Sequence, residues 1–474
     1  MAIPATRDTA PPAAARSGSG IHSLPDGAEA FAARMALAAS AEESIDAQYY
    51  IWHPDLAGTL LFAQLVRAAE RGVRVRLLLD DNNTRGMDPI LAALDAQPNL
   101  EVRLFNPFRR RALRGLDYLL AFERMNRRMH NKSFTVDNQA TILGGRNVGD
   151  EYFGIGREIS FEDLDVLAVG PVVDEVTNVF ERYWKSESAV PVGRLLPRAT
   201  REDVQRIVAK AEKIEASEPA ARYCAAVEAT PLARDLRANR LSLEWAETRL
   251  VSDPPSKVLA SRRTVVAPVL DRLRGVLGSA DREIDIVSPY FVPTKRGVAA
   301  FSEIASRGVK IRILTNSLAA TDVAVVHAGY ARYRKALLKA GIELYELAPV
   351  AGFMIGKRGA RGGSSGASLH AKTFAVDRCR AYVGSFNFDP RSARLNTEMG
   401  VVIESPAIAG RIAIRLDEDL RTAAYQVQCN DAGRLEWTIR DESGERRFQS
   451  EPAASWKRRL GVSLLSLLPV ERYL

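Results

Sequence analysis

The chain has 474 residues, of which 46% are hydrophobic and 26% are charged, and its formal net charge at pH 7 is +8. The length exceeds one ordinary domain, and the composition excludes a disordered or fibrous chain. Three scattered cysteines provide neither a disulfide framework nor a zinc-ligand spacing, which fits a reducing compartment. A basic surface suits nucleic acid, anionic lipid or a phosphate-rich substrate, and charge alone does not choose among them.

The start of the chain predicts neither a signal peptide nor a membrane span. Residues 1–20 are rich in Ala, Pro, Ser and Gly and lack the apolar stretch of a signal peptide, so we predict a disordered tail there. No apolar run in the sequence reaches the length that spans a bilayer. Any membrane contact is therefore expected to be peripheral.

From residue 21 onward, apolar periodicity predicts alternating helices and strands. The first-half elements are a helix over 26–41, a strand over 44–52, a helix over 56–71, and strands over 73–79 and 101–107. The second half repeats this plan, with a strand over 283–291, a helix over 297–306, and strands over 309–313 and 343–349. Strand, helix, strand at this spacing indicates a βαβ unit in each half and a mixed or largely parallel sheet. We predict an α/β fold made of two similar α/β/α domains related by a pseudo-two-fold, over residues 21–238 and 239–474.

Two segments mix basic and large apolar residues. Pro107–Arg128 combines at least six arginines with leucines and aromatics, and Trp456–Arg459 leads into a Leu-rich C-terminal tail. Such segments could lie in the headgroup layer of an anionic membrane. The alternative is an amphipathic helix that packs on its own domain and leaves its arginines in solvent.

The most informative feature is an eighteen-residue stretch that occurs twice. Residues 130–147 and 370–387 both match H-x-K-x4-D-x6-G-x2-N without a gap. The matching pairs are His130 with His370, Lys132 with Lys372, Asp137 with Asp377, Gly144 with Gly384, and Asn147 with Asn387. Two copies that share five positions are hard to reconcile with chance.

Strand geometry explains the spacing within each copy. His130 and Lys132, two residues apart, project from the same face of a strand. A hairpin with a two-residue loop at 138–139 would pair Asp137 with Ala140 and bring Asn147 opposite His130, and the second copy allows the same register. Each copy is then expected to bring an imidazole, an ammonium and a carboxamide to one point, which is a cluster of phosphate size.

The duplicated motif resembles that of the phospholipase D superfamily, whose members carry two such His-Lys-Asp motifs. Residues 384–392 (GSFNFDPRS), followed by Asn396-Thr397-Glu398, are most similar to the bacterial cardiolipin synthase branch, here without N-terminal transmembrane helices. The resemblance implies tandem phospholipase D-like domains with the active site at their interface. Gly145 stands where the family commonly has a serine, so only Ser385 in the second copy is expected to contact phosphate through a hydroxyl.

The residue types suit a phosphodiester site that needs neither a metal nor a cofactor. Lysine and asparagine side chains can neutralise and hydrogen-bond phosphate oxygens as charge builds in a transition state. We predict as catalytic residues His130, Lys132, Asp137, His370, Lys372 and Asp377, and as phosphate-binding residues Asn147, Asn387 and Ser385. The resemblance implies that His130 is the nucleophile, through a phosphohistidine, and that His370 is the general acid.

Each imidazole also needs a carboxylate on its other nitrogen to fix its tautomer. We predict Glu398 for His370, and for His130 we favour Asp163 over Glu158, which has the matching sequence offset. Asp137 and Asp377 belong to the motif, but their place at the hairpin turns predicts a structural role.

The resulting hypothesis is a phosphatidyltransferase that forms cardiolipin from phosphatidylglycerol and a second phospholipid. The alternative is a phospholipase or nuclease of the same superfamily, and a third hypothesis, a non-catalytic lipid-surface adaptor, is disfavoured by the intact motifs. We expect anionic phospholipid substrates, no nucleic-acid partner, and a peripheral location on the cytoplasmic side of a bacterial inner membrane. A small protein partner is left open.

Overall fold

A computed structural model describes residues 18–155, 159–238, 240–260, 266–321, 323–349, 366–441 and 444–466. Residues 1–17 of the predicted disordered tail lie outside the described residues, whereas Ser19 and Gly20 already belong to a strand. Across the described residues, no helix combines the length and the apolar character that crossing a membrane requires.

The chain divides into two compact units that are not continuous in sequence. The first takes in Met1–Gly156, Leu164–Val266 and Leu395–Val401. The second takes in Arg157–Asp163, Ala267–Arg394 and Val402–Leu474. Each unit therefore contains one short segment that arrives from the opposite half of the sequence.

The first unit is built on a nine-stranded mixed sheet. Its strands are β1 (Ser19–Leu24), β2 (Ser44–Tyr49), β3 (Arg74–Asp80), β4 (Leu100–Phe105), β5 (Ser133–Val136), β6 (Ala140–Gly144), β8 (Asp165–Val169), β9 (Ala189–Pro191) and β10 (Glu244–Ser252). Its helices are α1 (Gly27–Ser40), α2 (Leu56–Glu70), α3 (Asp88–Asp95), α4 (Arg114–Leu120), α5 (Phe122–Met125), α6 (Pro171–Trp184), α7 (Arg201–Glu215), α8 (Glu218–Glu228) and α9 (Pro231–Arg237). The strand order is β10-β1-β8-β6-β5-β2-β3-β4-β9, in which β2, β3 and β4 are parallel and the other neighbours antiparallel.

The second unit repeats this plan around another parallel trio. Its strands are β7 (Ile159–Glu162), β11 (Glu283–Val287), β12 (Lys310–Asn316), β13 (Glu343–Leu347), β14 (Gly366–Leu369), β15 (Thr373–Val376), β16 (Arg380–Gly384), β18 (Ala424–Cys429), β19 (Leu435–Asp441) and β20 (Gly444–Phe448), and β17 (Met399–Glu404) enters it from the first unit. Its helices are α10 (Pro268–Gly278), α11 (Thr294–Ser306), α12 (Ala324–Ala331), α13 (Arg334–Lys339), α14 (Pro390–Arg394), α15 (Pro406–Thr422) and α16 (Trp456–Ser466). Strands β16-β15-β11-β12-β13-β18 have the order and directions of β6-β5-β2-β3-β4-β9, and β7 and β14 form a separate parallel pair.

Matching buried ion pairs underline the duplication. On neighbouring parallel strands, Arg76 donates two hydrogen bonds to Asp46, both 2.7 Å long. At the corresponding register of the second unit, Arg312 donates two to Asp285, at 2.6 and 2.8 Å. Bidentate pairs of this kind fix the planar guanidinium in one orientation. The predicted tandem α/β fold with mixed sheets is thus confirmed.

The predicted domain boundary near residue 238 falls inside the first unit. Strand β10 (Glu244–Ser252), which follows this boundary, pairs antiparallel with β1 and so extends the first sheet. The main crossing to the second unit follows at Val266–Ala267.

Candidate active site

The two motif hairpins have a register one residue away from the predicted one. Val136 pairs with Ala140, and in the second copy Val376 pairs with Arg380. Three residues, not two, therefore connect each pair of strands, and the first two of the three adopt left-handed backbone conformations, as in Asp137 at φ 51°. The predicted two-residue loop was wrong, and with it the expected pairing of His130 with Asn147.

The motif aspartates are bound to backbone rather than to the histidines. The Asp137 carboxylate accepts hydrogen bonds from the N–H groups of Glu42, Glu43 and Ser44, at 2.9, 2.8 and 2.7 Å. The equivalent Asp377 accepts from three consecutive N–H groups, Asp281 to Glu283, at 3.0, 2.7 and 3.0 Å. Each aspartate thus fastens its hairpin turn to the start of the first parallel strand of its unit, β2 or β11. This geometry agrees with the predicted structural role.

In the first unit, His130 is held by a glutamate from far along the chain. Its Nδ1 lies 2.8 Å from Oε2 of Glu398, which is fully buried. The backbone keeps the two residues in register, because the His130 N–H donates to the carbonyl of Thr397 at 2.9 Å. Because Nδ1 faces Glu398, Nε2 is the ring nitrogen that points away from this carboxylate.

A buried ion pair supports Glu398 in turn. The Asp253 carboxylate accepts hydrogen bonds from the Lys257 ammonium at 2.7 Å and from the Glu398 N–H at 3.1 Å. The Asp253 N–H donates back to the Glu398 carbonyl at 2.9 Å. The side chains of Asp253 and Lys257 are both almost wholly inaccessible to solvent. No sequence pattern indicated this pair, because neither residue belongs to a recognisable motif.

The remaining neighbours of His130 are aromatic and cationic. The Tyr50 ring meets the imidazole edge to face, with centroids 5.0 Å apart. The Lys132 ammonium lies 5.5 Å from the centroid of the same ring and donates to the His130 carbonyl at 2.6 Å. The imidazole and the ammonium of the motif therefore occupy one small region, as predicted.

In the second unit, His370 is held by Asp163. Its Nδ1 lies 2.5 Å from Oδ2 of this fully buried carboxylate. The N–H groups of His370 and Ala371 both donate to the carbonyl of Glu162, at 2.8 Å each. The Lys372 ammonium lies 3.1 Å from Nε2 of His370.

The two orienting carboxylates were predicted correctly as residues but assigned to the wrong histidines. Glu398 was expected on His370 and Asp163 on His130, since each follows that histidine along the chain. The structure exchanges them, because the segments that carry Glu398 and Asp163 each belong to the unit opposite to the rest of their half. Glu158, the alternative for His130, lies outside the described residues.

The predicted phosphate-binding residues differ in their surroundings. The Asn147 carboxamide accepts from the Ile51 N–H at 3.2 Å and donates to the Tyr152 hydroxyl at 3.0 Å, so protein contacts already use both of its ends. Asn387 is 5% exposed, and its Oδ1 has no hydrogen-bond partner within the described structure. Ser385 follows β16 directly and is fully buried. Of the three, Asn387 is the side chain with unused hydrogen-bonding capacity.

Asp80 is a buried residue next to the first half-site, and no sequence pattern indicated its role. Its carboxylate accepts from the Met129 N–H at 2.8 Å and lies 3.4 Å from the Arg128 guanidinium. Burial raises the pKa of Asp80 to about 6, although Arg128 and two backbone donors act in the opposite direction. Asp80 thus positions the backbone of Met129, the residue immediately before His130.

One group of side chains could hold a metal ion by proximity alone. The ligand atoms of His53, Asp55 and Glu151 all lie within 4.8 Å of one another. The Asp55 carboxylate, however, already caps α2 through Gly58 at 3.0 Å and accepts from the Asp150 N–H at 2.8 Å. We assign no metal to this group.

Comparison with known proteins places these half-sites in a family. The sequence profile described as "Cardiolipin synthase, PLD-like domain" matches residues 35–184 and 273–420, so one match covers each motif. The chain is 51% identical to cardiolipin synthase C of Escherichia coli strain K12 over 455 residues, which is 95% of either chain. It is 26% identical to cardiolipin synthase A of Pseudomonas entomophila over 403 residues, or 84% of this chain and 68% of that one. The crystal structure of phosphatidylserine synthase from Haemophilus influenzae superposes with a TM-score of 0.61 at 11% identity over 97% of both chains, which shows a shared fold.

Proposed function

Because this chain belongs to the phospholipase D-like family of cardiolipin synthases, we propose that it is a phosphatidyltransferase that forms cardiolipin. The observation that carries the proposal is the repeated half-site, in which each motif histidine has Nδ1 on a buried carboxylate and a lysine two residues on. Two imidazoles prepared in this way suit a two-step transfer of a phosphodiester group.

In the first step, Nε2 of His130 attacks the phosphorus of a phosphatidylglycerol. A P–N bond forms, the P–O bond to the headgroup glycerol breaks, and protonated His370 delivers its proton to the departing alkoxide. The product is a phosphatidyl-histidine together with free glycerol. Glu398 stabilises the positive charge that develops on the His130 ring.

In the second step, the headgroup hydroxyl of another phosphatidylglycerol is the acceptor. His370 removes the proton of this hydroxyl, the oxygen attacks phosphorus, and the P–N bond breaks. Cardiolipin is released and both histidines return to their starting protonation states. Water in place of the alcohol would give phosphatidic acid.

The lysines and Asn387 stabilise the phosphate in both steps. Negative charge grows on the non-bridging oxygens in each transition state. The Lys132 ammonium contacts the His130 carbonyl, and the Lys372 ammonium lies 3.1 Å from Nε2 of His370. Asn387 adds a neutral contact from a buried position. Asp137 and Asp377 act by holding the hairpin turns.

The test is an assay of purified protein in mixed micelles of phosphatidylglycerol with EDTA present. Cardiolipin and phosphatidic acid are followed by mass spectrometry for the wild type, His130→Ala and His370→Ala. We expect cardiolipin from the wild type and from neither variant. Phosphatidic acid alone would make the protein a hydrolase, and cleavage of DNA or RNA in the absence of lipid turnover would make it a nuclease.

We further propose that the enzyme works peripherally on the cytoplasmic face of the bacterial inner membrane. Support comes from the lipid nature of the proposed substrates and from two basic segments with exposed apolar side chains. Fractionation of cells, followed by carbonate extraction and protease protection of inverted vesicles, tests the location. A protein that resists carbonate extraction, or that is protected from added protease in inverted vesicles, would contradict this location.

A further inference from the structure

Five large apolar side chains of the first unit are exposed within ten residues. They belong to the Leu113–Phe122 segment, which contains α4 and the start of α5. Their exposed fractions are 62% for Leu113, 38% for Leu116, 79% for Leu119, 63% for Leu120 and 43% for Phe122. Isolated exposed leucines are ordinary, but a contiguous set marks a surface that binds something.

Two charged side chains in or just before this segment, Arg111 and Asp117, face inward. The Arg111 guanidinium, only 9% exposed, binds Asp81 at 2.6 Å and also contacts Asp88. The Asp117 side chain is 2% exposed and accepts from the Arg110 N–H at 2.8 Å. The segment is therefore inverted relative to an ordinary surface helix, which packs its apolar face on the core. Packing on its own domain, the alternative left open by the sequence, does not account for exposed leucines beside buried ionic groups.

The charge around the segment favours an anionic occupant. Residues 107–128 contain seven arginines, of which Arg127 and Arg128 are buried and Arg111 is paired with Asp81. Arg109 and Arg110 are exposed beside the leucines. Apolar side chains bordered by cations are the pattern of elements that lie in the interface of an anionic bilayer.

The segment is anchored at the same point as the first half-site. At the end of β3, Asp80 holds the Met129 N–H at 2.8 Å, one residue before His130. The adjacent Asp81 holds the Phe108 N–H at 2.8 Å and the Arg111 side chain. Consecutive carboxylates thus fix both the reactive histidine and the start of the exposed segment. A surface that binds the segment would hold His130 at a set distance from itself.

Helix α16 of the second unit also exposes large apolar side chains, although its Val462 packs into the core of that unit. Trp456, Leu460 and Leu464 are 68%, 52% and 58% exposed. Arg459 instead turns back to its own unit and donates to the Ala454 carbonyl at 3.0 Å and to the Ser450 hydroxyl at 2.9 Å. The pattern is therefore not peculiar to one helix.

We propose that the Leu113–Phe122 segment docks the first unit on an anionic phospholipid bilayer. The leucines and Phe122 enter the headgroup–acyl boundary, and the arginines at its border bind lipid phosphates. The inference rests on the proposed function in one respect, namely that the bilayer also supplies the substrate. It names the contact surface, which the proposed function does not.

The test is sedimentation of the full chain with vesicles of phosphatidylcholine alone or mixed with phosphatidylglycerol. We expect binding to the mixed vesicles that weakens with added salt. The double variant Leu119→Ser/Leu120→Ser should bind them about tenfold more weakly, since two apolar side chains no longer leave water. Ile414→Ser is the matched control, because Ile414 is 55% exposed on α15, outside both segments, and should bind as the wild type does.

The lipid-docking inference and the proposed function can fail separately. Activity on monomeric short-chain phosphatidylglycerol, which requires no bilayer, should be equal in the wild type and the double variant. A double variant that binds vesicles as well as the wild type would overturn the docking inference, as would a wild type that is active on monomers but does not bind. Self-association of the wild type in solution that the double variant loses would assign the segment to a second copy instead. Vesicle binding without any lipid turnover would contradict the proposed function and leave the docking surface supported.

Discussion

The imidazole of His130 is bonded through Nδ1 to Glu398, a residue 268 positions further along the chain, at 2.8 Å. The mirror relationship joins His370 to Asp163, 207 positions before it, at 2.5 Å. Each half-site is thus completed by a carboxylate from the opposite half of the sequence, although both partners of each pair belong to the same compact unit.

This crossed pairing predicts different effects for the two carboxylates. Glu398→Gln should slow attack by His130, because the ring loses the group that stabilises its developing charge. Asp163→Asn should slow proton transfer by His370. Both variants should lose about 10²- to 10⁴-fold in turnover with phosphatidylglycerol.

A substrate with a p-nitrophenolate leaving group separates the two effects, since this group departs without a proton. The burst of p-nitrophenol, which reports formation of the phosphohistidine, should stay near the wild-type rate in Asp163→Asn and remain slow in Glu398→Gln. The reverse pattern would support the pairing predicted from the sequence, or an exchange of nucleophile and acid. Circular dichroism of both variants checks that the fold is intact.

The buried pair behind Glu398 predicts a joint loss of stability and activity. Lys257→Met should destabilise the protein by about 3–5 kcal/mol, because it leaves the Asp253 carboxylate buried without its cation. Turnover should fall as well, since Asp253 also holds the Glu398 backbone. Urea unfolding and the cardiolipin assay measure the two effects.

Arg222→Met is the control for this prediction. Arg222 and Glu218 form an ion pair whose side chains are 69% and 79% exposed, and such pairs contribute at most about 1 kcal/mol. A Lys257→Met protein as stable and active as this control would show that Asp253 and Lys257 do not position Glu398.

The sequence predicted the repeated units well because their determinants are local. Apolar alternation gave the parallel strands, and Asp55, which accepts from the Gly58 N–H at 3.0 Å, caps a helix whose predicted bounds differ by one residue. The duplicated motif located both histidines and both lysines without any tertiary information. Local sequence patterns can therefore predict which side chains lie together within one hairpin.

Relationships between distant segments were not accessible in this way. Whether Glu398 or Asp163 contacts His130 depends on which unit contains residues 395–401. No local sequence pattern indicates that these residues belong to the first unit. The hairpin register failed for a subtler reason. Each connection has three residues, of which two are left-handed, and in both copies neither of these two is a glycine. The usual sequence signal for such a turn was therefore missing.

The second motif aspartate, Asp377, predicts a pH-dependent contribution to stability. Burial alone would raise the pKa of Asp377, but hydrogen bonds from three backbone N–H groups lower it below its ordinary value of 3.8. A lowered pKa in the folded state stabilises the protein above the unfolded pKa, and this stabilisation is lost as pH falls through the folded pKa. Asp377→Asn should therefore lower the free energy of unfolding at pH 7 by about 1–3 kcal/mol and flatten its decline in acid.

Turnover separates this structural role from a catalytic one. The Asp377→Asn enzyme, assayed well below its melting temperature, should keep kcat within about threefold, whereas a group in contact with the phosphate would cost 10²-fold or more. Loss of kcat without loss of stability would return Asp377 to the catalytic set. Asp137→Asn provides an independent repeat, because Asp137 makes the same three contacts in the first unit.

Gly144 of the first motif is predicted to be required for a steric reason, because its surroundings leave no room for a side chain. A Cβ on Gly144 would lie 2.2 Å from Oδ1 of Asp165 and 2.6 Å from the Asp165 backbone, because β8 passes directly beside β6. Asp165 also binds the buried Arg34 at 2.8 Å and cannot move aside without breaking that pair. Gly144→Ala should therefore destabilise the first unit by about 1–3 kcal/mol, as overpacking of a closed interior does. Gly410→Ala on α15 is the control, since nothing lies within 4 Å of the added Cβ and alanine favours a helix. Thermal unfolding of both variants measures the difference, and a Gly144→Ala protein that melts with or above the Gly410→Ala protein would show that β8 yields to the added methyl group.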